Sequence, residues 1–302
     1  MAFMKKSPPA IQKLEDRAVE ILGSTAQEAK TLGFSTRVLV QASLPHKEPK
    51  DDPRAWIRTN GNYSLIIQPG IDREGEAIGF PYGNIPRVVL AYLTTSVVKT
   101  RSRDIDLGKS LSSFMKDIGL HSNGRDIRRM KDQLQRLFSA SITFRFDDAK
   151  ARMSAGAHRP IAREFQFWWD DRLPDQQSLF PKFVRLDEEF YREIIEHPVP
   201  VDLRAIQALK QSSLALDIYT WLNHRMSYLN QRVRIPWDSI EQHIGSEYAD
   251  AREFRRWAKH ALLKIKAIWP ELHFEVDKGG LVLKPSPTHV QRTFVQVIGQ
   301  PK

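Results

Sequence analysis

The sequence contains no cysteine, which excludes a disulfide framework and thiolate metal sites and is compatible with a reducing cytoplasm. No apolar run approaches the ~20 residues needed to span a bilayer. Lys5 and Lys6 are not followed by an apolar core, so the start reads as neither signal peptide nor anchor. Gly108, Lys109 and Ser110 match the end of a phosphate-binding loop, yet that motif requires glycine where Arg103 stands, and ATP hydrolysis is not expected. Among the nine histidines no two are separated by a single residue. This removes the His-x-His metal core of rolling-circle relaxases and leaves Tyr191 and Tyr219 without an activated role as nucleophiles. The adjacent carboxylates Asp170-Asp171 and Glu188-Glu189 read as surface charge rather than Mg2+ ligands. The chain is therefore expected to be no enzyme and to carry no metal or cofactor.

What is present is positive charge. Forty-six basic residues stand against 36 acidic ones, giving a formal charge of +10, and a hydrophobic content of 41% belongs to a globular chain. A polyanionic partner is expected. Residues 1–80 hold 11 basic and 10 acidic side chains, so 35 basic against 26 acidic lie beyond them. At 302 residues about two domains are expected.

Beyond position 80 the chain repeats itself. Asp126-Ile127-Arg128-Arg129-Met130 is matched by Glu253-Phe254-Arg255-Arg256-Trp257: acid, apolar, Arg, Arg, large apolar. Ile118-Gly119 precedes the first copy and Ile244-Gly245 the second. Earlier still, Ile105 and Leu107 correspond to Val233 and Ile235, each pair preceded by a longer helical pattern. An alternating run follows each copy, at 142–146 and 272–276. The order of helix, short strand, short helix, basic helix and hairpin is that of a winged helix, here duplicated. The fold class expected is α+β: tandem winged-helix domains, a helix-turn-helix plus β-hairpin each, with an N-terminal α+β extension.

In chain order, Ser7 and Pro8-Pro9 begin a helix in which Ile11, Leu14, Ala18, Ile21 and Leu22 recur at helical spacing. Residues 37–42 read as a strand and 46–53 as a loop. Residues 55–67 read as a β segment broken by the turn Asn60-Gly61-Asn62. A helix runs from Pro86 to about Thr100. In the first basic helix, Arg125, Arg128, Arg129, Lys131 and Arg136 oppose two acids, while Ile127, Met130, Leu134 and Leu137 form the apolar stripe. Residues 147–162, with Lys150, Arg152, His158 and Arg159 around a small-residue centre at 154–157, read as a long mobile basic wing. Residues 164–171 read as a returning strand, Trp168 and Trp169 pointing to opposite faces. His197-Pro198-Val199-Pro200 reads as a breaker, and 212–225 as a core helix. Asp238 or Ser239 is the expected cap of the next helix, in which His243 packs inward. The second basic helix carries Arg252, Arg255, Arg256, Lys259, Lys264 and Lys266, its stripe being Phe254, Trp257, Ala261, Leu262 and Ile265. A hairpin turn at 277–280 places Lys278 and, nearby, Lys284 on a short basic wing, with Gly279-Gly280 expected to take positive φ. From Ser286 the tail is expected to be loosely held.

The run FPYGNIPRVVLAYLTTSVVKTRSRDIDLGKSLSSFMKDIG, residues 80–119, resembles the plasmid-encoded RepA family of replication initiators, whose members carry a Pro-Tyr-Gly…Pro-Arg motif ahead of the first winged helix. Here that motif is Pro81-Tyr82-Gly83 and Pro86-Arg87. The likeness continues through residues 125–138 and, more loosely, to about 285. The implied layout is an extension at 1–79, a first winged helix at 80–181, a second at 182–287 and a flexible tail at 288–302. The resemblance implies a cytoplasmic protein that binds directly repeated origin sites (iterons) in double-stranded DNA, helps open the origin and recruits the host replication initiator and helicase machinery. It also implies a homodimer with a monomeric DNA-bound form, in which the C-terminal unit makes the stronger groove contact and the N-terminal one contributes the dimer surface. The DNA-contacting residues expected are Arg125, Arg128, Arg129, Lys131, Lys150, Arg152, Arg159, Arg252, Arg255, Arg256, Lys259 and Lys278, because arginine can bond guanine in the major groove and either cation can neutralise phosphate. From the residues alone, a winged-helix transcription regulator and a winged-helix protein-interaction module remain open.

Overall fold

The computed structural model describes residues 9–50, 54–148, 153–167, 182–245, 248 and 250–290. Helix α1 (Pro9–Leu22) opens the described chain, burying Ala18 and Ile21 with Leu14 packed beside them as the spacing predicts, whereas Leu22, expected in the same stripe, is 51% exposed. Ser7 and Pro8 lie outside the described residues. Strand β1 (Leu32–Thr36) runs directly into α2 (Arg37–Gln41). Residues 37–42 therefore do not form the expected strand. The Thr36 hydroxyl accepts from the Leu39 N–H and caps a helical turn, and this local bond overrides the β preference of Val38 and Val40. Strands β2 (Trp56–Asn60) and β3 (Tyr63–Gln68) form the expected hairpin, turning at Gly61 with φ +58°.

Two sections then run through one order of elements. The first is α3 (Asn84–Thr100), β4 (Asp104–Asp106), α4 (Leu111–Asp117), α5 (Gly124–Ser139), β5 (Ser141–Asp148) and β6 (Met153–Pro160). Next come β7 (Ala162–Phe165), β8 (Phe183–Leu186), α6 (Glu188–Glu196), β9 (Pro198–Asp202) and α7 (Leu203–Leu209). The order returns with α8 (Ser213–Met226), β10 (Val233–Pro236), α9 (Trp237–Ile244), α10 (Ala251–Ile268), β11 (Phe274–Val276) and β12 (Gly280–Leu283). The chain is thus a mixed α+β protein.

The duplicated order holds, but the strand pairing corrects the alignment. In the second section the sheet order is β10-β12-β11, and in the first it is β4-β8-β7. Strand β8 stands to β4 as β12 stands to β10, with Ile105 opposite Val184 and Ile235 opposite Leu281. The counterpart of hairpin β11–β12 is therefore β7–β8, and β5–β6 is an inserted hairpin. Residues 142–146 resemble 272–276 because both alternate, but Ile142 and Phe144 face β3, opposite Ile67 and Leu65, in a four-stranded sheet of order β2-β3-β5-β6. The segment expected to be a mobile wing is largely a strand. Ala155, Gly156 and Ala157 lie in register with Phe146, Arg145 and Phe144. The strand expected at 164–171 ends at Phe165; Trp168, Trp169, Asp170 and Asp171 lie outside the described residues.

The breaker at 197–200 is likewise a strand. Pro198 and Pro200 are two apart, so their missing N–H groups fall on one edge of β9, where the Pro200 carbonyl accepts from Asn223 (2.6 Å). The other edge pairs with β1. These pairings cross the boundaries expected at 79/80 and 181/182: β3 completes the sheet of β5, β1 joins β9, and β8 completes the sheet of β4. One apolar cluster runs from Ala18 to Leu283. The tail is held further than expected. The Ser286 hydroxyl accepts from the His273 N–H (2.8 Å), the His289 N–H donates to Asn223 (2.9 Å), and Val290 is buried; residues 291–302 lie outside the described residues.

The hairpin turn at 277–280 is closed by one carboxylate rather than by positive φ. Asp277 Oδ1 accepts from Gly279 N (2.8 Å) and Gly280 N (2.9 Å), and neither glycine is left-handed. Glycine is required at 280 for space, since an added Cβ would lie 2.2 Å from the Ile235 carbonyl oxygen on β10. Gly280→Ala is expected to cost about 1–3 kcal/mol by forcing β12 from β10. A fall in the urea midpoint at unchanged slope would show it, and an unchanged midpoint would contradict it.

Among the described residues, three histidines pack into the fold, His243 buried and His46 and His289 half-buried. His46 meets Asp217 (2.7 Å), His243 the Val40 carbonyl (2.9 Å) and His289 the Tyr219 hydroxyl (2.8 Å). Burial holds all three imidazoles below the ordinary histidine range. Below pH ~6.5 the unfolded chain takes up protons that the folded chain does not, so stability is present above that pH and is lost as pH falls toward the folded values. The expected loss is about 1.4 kcal/mol per pH unit for each histidine that stays neutral. Urea midpoints compared at pH 7.5 and 5.5 check this, and equal midpoints would contradict it.

Candidate nucleic-acid interface

Helix α5 starts where Asn123 caps it, its side-chain oxygen accepting from the Asp126 N–H (3.0 Å). The expected stripe of Ile127, Met130, Leu134 and Leu137 is buried, joined by Phe138 and Gln133. Gln133 Oε1 accepts from the Tyr82 N–H (2.8 Å), which ties the Pro-Tyr-Gly motif to this helix. Arg125, Arg128 and Arg129 lie on the outward face. Arg129 stands 3.8 Å from Asp126, an exposed contact of small energy, whereas Arg125 and Arg128 make no ion pair among the described residues. Lys131 is half-buried. Arg136 does not belong to the outward face: its guanidinium lies over the Tyr82 ring, binds Glu48 (2.5 Å) and Asp132 (2.9 Å), and fastens the loop after α2 onto α5.

Helix α10 is capped twice by Asp250, whose Oδ1 accepts from Arg252 N (2.7 Å) and Glu253 N (2.8 Å). Its inward face is Phe254, Ala258, Ala261, Leu262, Ile265 and Ile268. Trp257, expected in this stripe, is 44% exposed, with the Arg256 guanidinium 5.3 Å above its ring. The small Ala258, one position further on, takes the inward place instead. Arg252, Arg256 and Lys259 follow one another at spacings of four and three on the outward face, so they share a stripe. The Arg256 side chain is 70% exposed and 4.0 Å from Glu253. Arg255 is 37% exposed and turned toward α9, 3.4 Å from Asp238. Neither Asp238 nor Ser239 caps α9 as expected, because the helix already begins at Trp237 and places both inside its first turn, with Pro236 at the cap position offering no side-chain acceptor. Lys266 closes the far end of α10 by donating to the Pro270 (2.5 Å) and Leu272 (2.7 Å) carbonyls.

The hairpin after α10 is less basic than its sequence. Glu275 pairs with Lys284 (2.5 Å) and Arg232 (3.1 Å), and Asp277 pairs with Arg234 (2.5 Å), leaving Lys278 exposed at the turn. Arg159 lies on β6 opposite Ile142, while Lys150 and Arg152 lie outside the described residues. The structure therefore gathers Arg125, Arg128 and Arg129 on one helix and Arg252, Arg256 and Lys259 on another, with Trp257 among the latter and Lys278 on the hairpin that follows.

The remaining titratable candidates have structural partners. Glu188 pairs with Arg103 (2.6 Å) and Arg192 (3.2 Å), and Glu189 with Arg192 (3.0 Å). Tyr191 donates to the Arg101 carbonyl (3.1 Å). Tyr219 accepts from the Asp202 N–H (3.1 Å), and burial pushes its hydroxyl well above the ordinary phenol range. Among the described residues no three metal-ligating side chains cluster, and no helix is long and apolar enough to cross a membrane.

These features define an α+β protein built on a duplicated order of elements, with a basic helix presented by each copy. The family described as "Plasmid encoded RepA protein" matches residues 80–239. The chain belongs to this family of plasmid-encoded RepA replication initiators. Two crystal structures of domains 2 and 3 of RctB share its fold. One, a selenomethionine derivative, is 10% identical over 80% of this chain and 94% of that chain, and the other is 12% identical over 82% and 96%, each with a TM-score of 0.50. No curated protein sequence matches the chain.

Proposed function

We propose that each copy is a winged helix, with α5 and α10 as recognition helices, and that the protein initiates plasmid replication by binding repeated origin sites in double-stranded DNA. In this reading the first winged helix spans about 80–186, one strand beyond the expected boundary, because β8 completes its sheet. The second spans about 213–283, with β11–β12 as its wing. The carrying observation is that both basic helices bury one face and turn outward a stripe of arginines whose carboxylate contacts are absent or long. Such side chains keep their donors available for guanine edges and phosphates. Two such helices on one duplex would enter successive major grooves, about 34 Å apart. Trp257 would press its ring against the sugar-phosphate edge while Arg256 reaches inward. Family membership supports the later steps, opening of the origin and recruitment of the host initiator and helicase machinery, as well as a dimer that dissociates to a DNA-bound monomer.

The test is footprinting of the purified protein on DNA flanking its own gene. Regularly repeated protection is expected. Protection of a single short promoter site would instead make the protein a transcription regulator, and no specific protection at any salt would leave a protein-interaction module.

A further inference from the structure

Helices α1, α3 and α7 and the end of α4 enclose a cleft of about 560 Å³ that none of the residues proposed to contact DNA lines. Its volume is that of a small-molecule site. One wall is apolar, formed by Val88, Ala91 and Tyr92 of α3 with Ile206 of α7. Four cations line the cleft: Arg204 is neutralised by Asp202 (2.8 Å) and Lys99 lies exposed on α3, which leaves Lys210 and Arg17 at the opposite end. Lys210 is 7% exposed, and its ammonium donates to the Gly119 carbonyl and to Gln207 Oε1 (3.1 Å). Arg17 donates to the Gln207 carbonyl (2.5 Å). Every one of these acceptors is neutral, and neither cation forms an ion pair among the described residues. The acids on the rim, Glu20 and Asp117, are exposed and reach neither cation.

A buried ammonium with only neutral acceptors retains an uncompensated charge, and a second cation beside it adds repulsion. Burial, with the Arg17 charge as the next cause, holds Lys210 below the ordinary lysine range. An anion between Lys210 and Arg17 would cancel both terms and take up the remaining donors, while the α3 wall receives an apolar body.

We infer that this cleft binds a small organic anion, one carboxylate-, phosphate- or sulfonate-type group joined to an apolar or aromatic body. Its head lies between Arg17 and Lys210 and its body lies along Val88, Ala91 and Tyr92. The site is independent of the DNA-binding reading and stands or falls separately from it.

The test uses the full-length protein and 8-anilinonaphthalene-1-sulfonate, a fluorescent sulfonate with an aromatic body. Saturable binding at one site per chain is expected. Arg17→Gln removes an exposed cation, and Ser96→Phe fills the cleft from a half-buried position on α3. Each should weaken binding about tenfold or more, which corresponds to about 1.4 kcal/mol, with the melting temperature unchanged. Inorganic phosphate should displace the probe only weakly, because it offers the head without the body. Non-saturating fluorescence, or wild-type affinity in both variants, would overturn the assignment.

Discussion

Asp217→Ala is expected to destabilise the protein by about 3–5 kcal/mol, because it leaves a buried guanidinium without its counter-charge. Arg87 of α3 holds both oxygens of Asp217 of α8, Nε to Oδ1 and Nη2 to Oδ2, each at 2.7 Å. Its other donors reach the carbonyls of Leu44 (2.7 Å), Pro45 (3.1 Å) and Gly83 (2.5 Å), and His46 adds a 2.7 Å contact to the same carboxylate. The arginine of the Pro-Tyr-Gly…Pro-Arg motif thus joins the leading helices of the two copies and the loop after α2, rather than facing DNA. The attraction of Arg87 and the bonds from Arg87 and His46 outweigh burial and hold the Asp217 carboxyl down to about 2. That contribution is present above pH ~4 and is lost as pH falls through the folded value, below the range in which the three histidines act. The double replacement Arg87→Met/Asp217→Leu removes both charges and should cost far less than the two single losses together. Chemical denaturation of the double variant and of Arg87→Met and Asp217→Leu singly decides this. A single loss under about 1 kcal/mol, or additive losses, would mean that the pair does not act as a unit.

Replacing Arg252 and Arg256 together by alanine is expected to weaken specific DNA binding by about 2–6 kcal/mol, from about 1–3 kcal/mol for each lost bidentate contact. The matched change on the first copy, Arg125→Ala/Arg128→Ala, should cost less if, as the family resemblance implies, the C-terminal unit makes the stronger groove contact. Within α10, Arg255→Ala should cost less than Arg256→Ala, because Arg255 is turned toward Asp238 whereas Arg256 faces solvent. Fluorescence anisotropy on a protected origin fragment measures all four. Equal losses on both helices would remove the division of labour, and a larger loss at Arg255 than at Arg256 would contradict the placement of these side chains.

The order of elements was legible because each copy carries its own local signals. Asn123 and Asp250 cap the basic helices, and the stripe of α5 recurs at helical spacing without a misplaced residue. The pairing of strands was not legible, because alternation shows that a segment has an inward face but not which strand covers it. Ile142 and Phe144 could have faced Ile105 as easily as they face Ile67 and Leu65. Short-range capping hid another element: the Thr36 hydroxyl turns a valine-rich stretch into α2. At the candidate interface the sequence identified cations but not their neighbours. Arg136, Arg255 and Lys284 count equally with Arg128 and Arg256 in composition, yet Glu48, Asp238 and Glu275, brought near by folding, take up their charge. Trp257 illustrates the converse, since apolarity alone does not say that a ring packs inward.

The measurement that bears most directly on the proposal that α5 and α10 are recognition helices is the salt dependence of binding to a protected origin fragment, for the wild type and for Arg252→Ala/Arg256→Ala. With roughly eight phosphates neutralised, log K should fall against log salt with a slope near −7 in the wild type. If both arginines also neutralise phosphates, the double variant should show a slope shallower by up to about 2, together with loss of preference for the origin sequence over random duplex. A wild-type affinity that does not change with salt, or a variant that keeps full affinity and preference, would show that the outward stripe of α10 is not the surface that meets DNA.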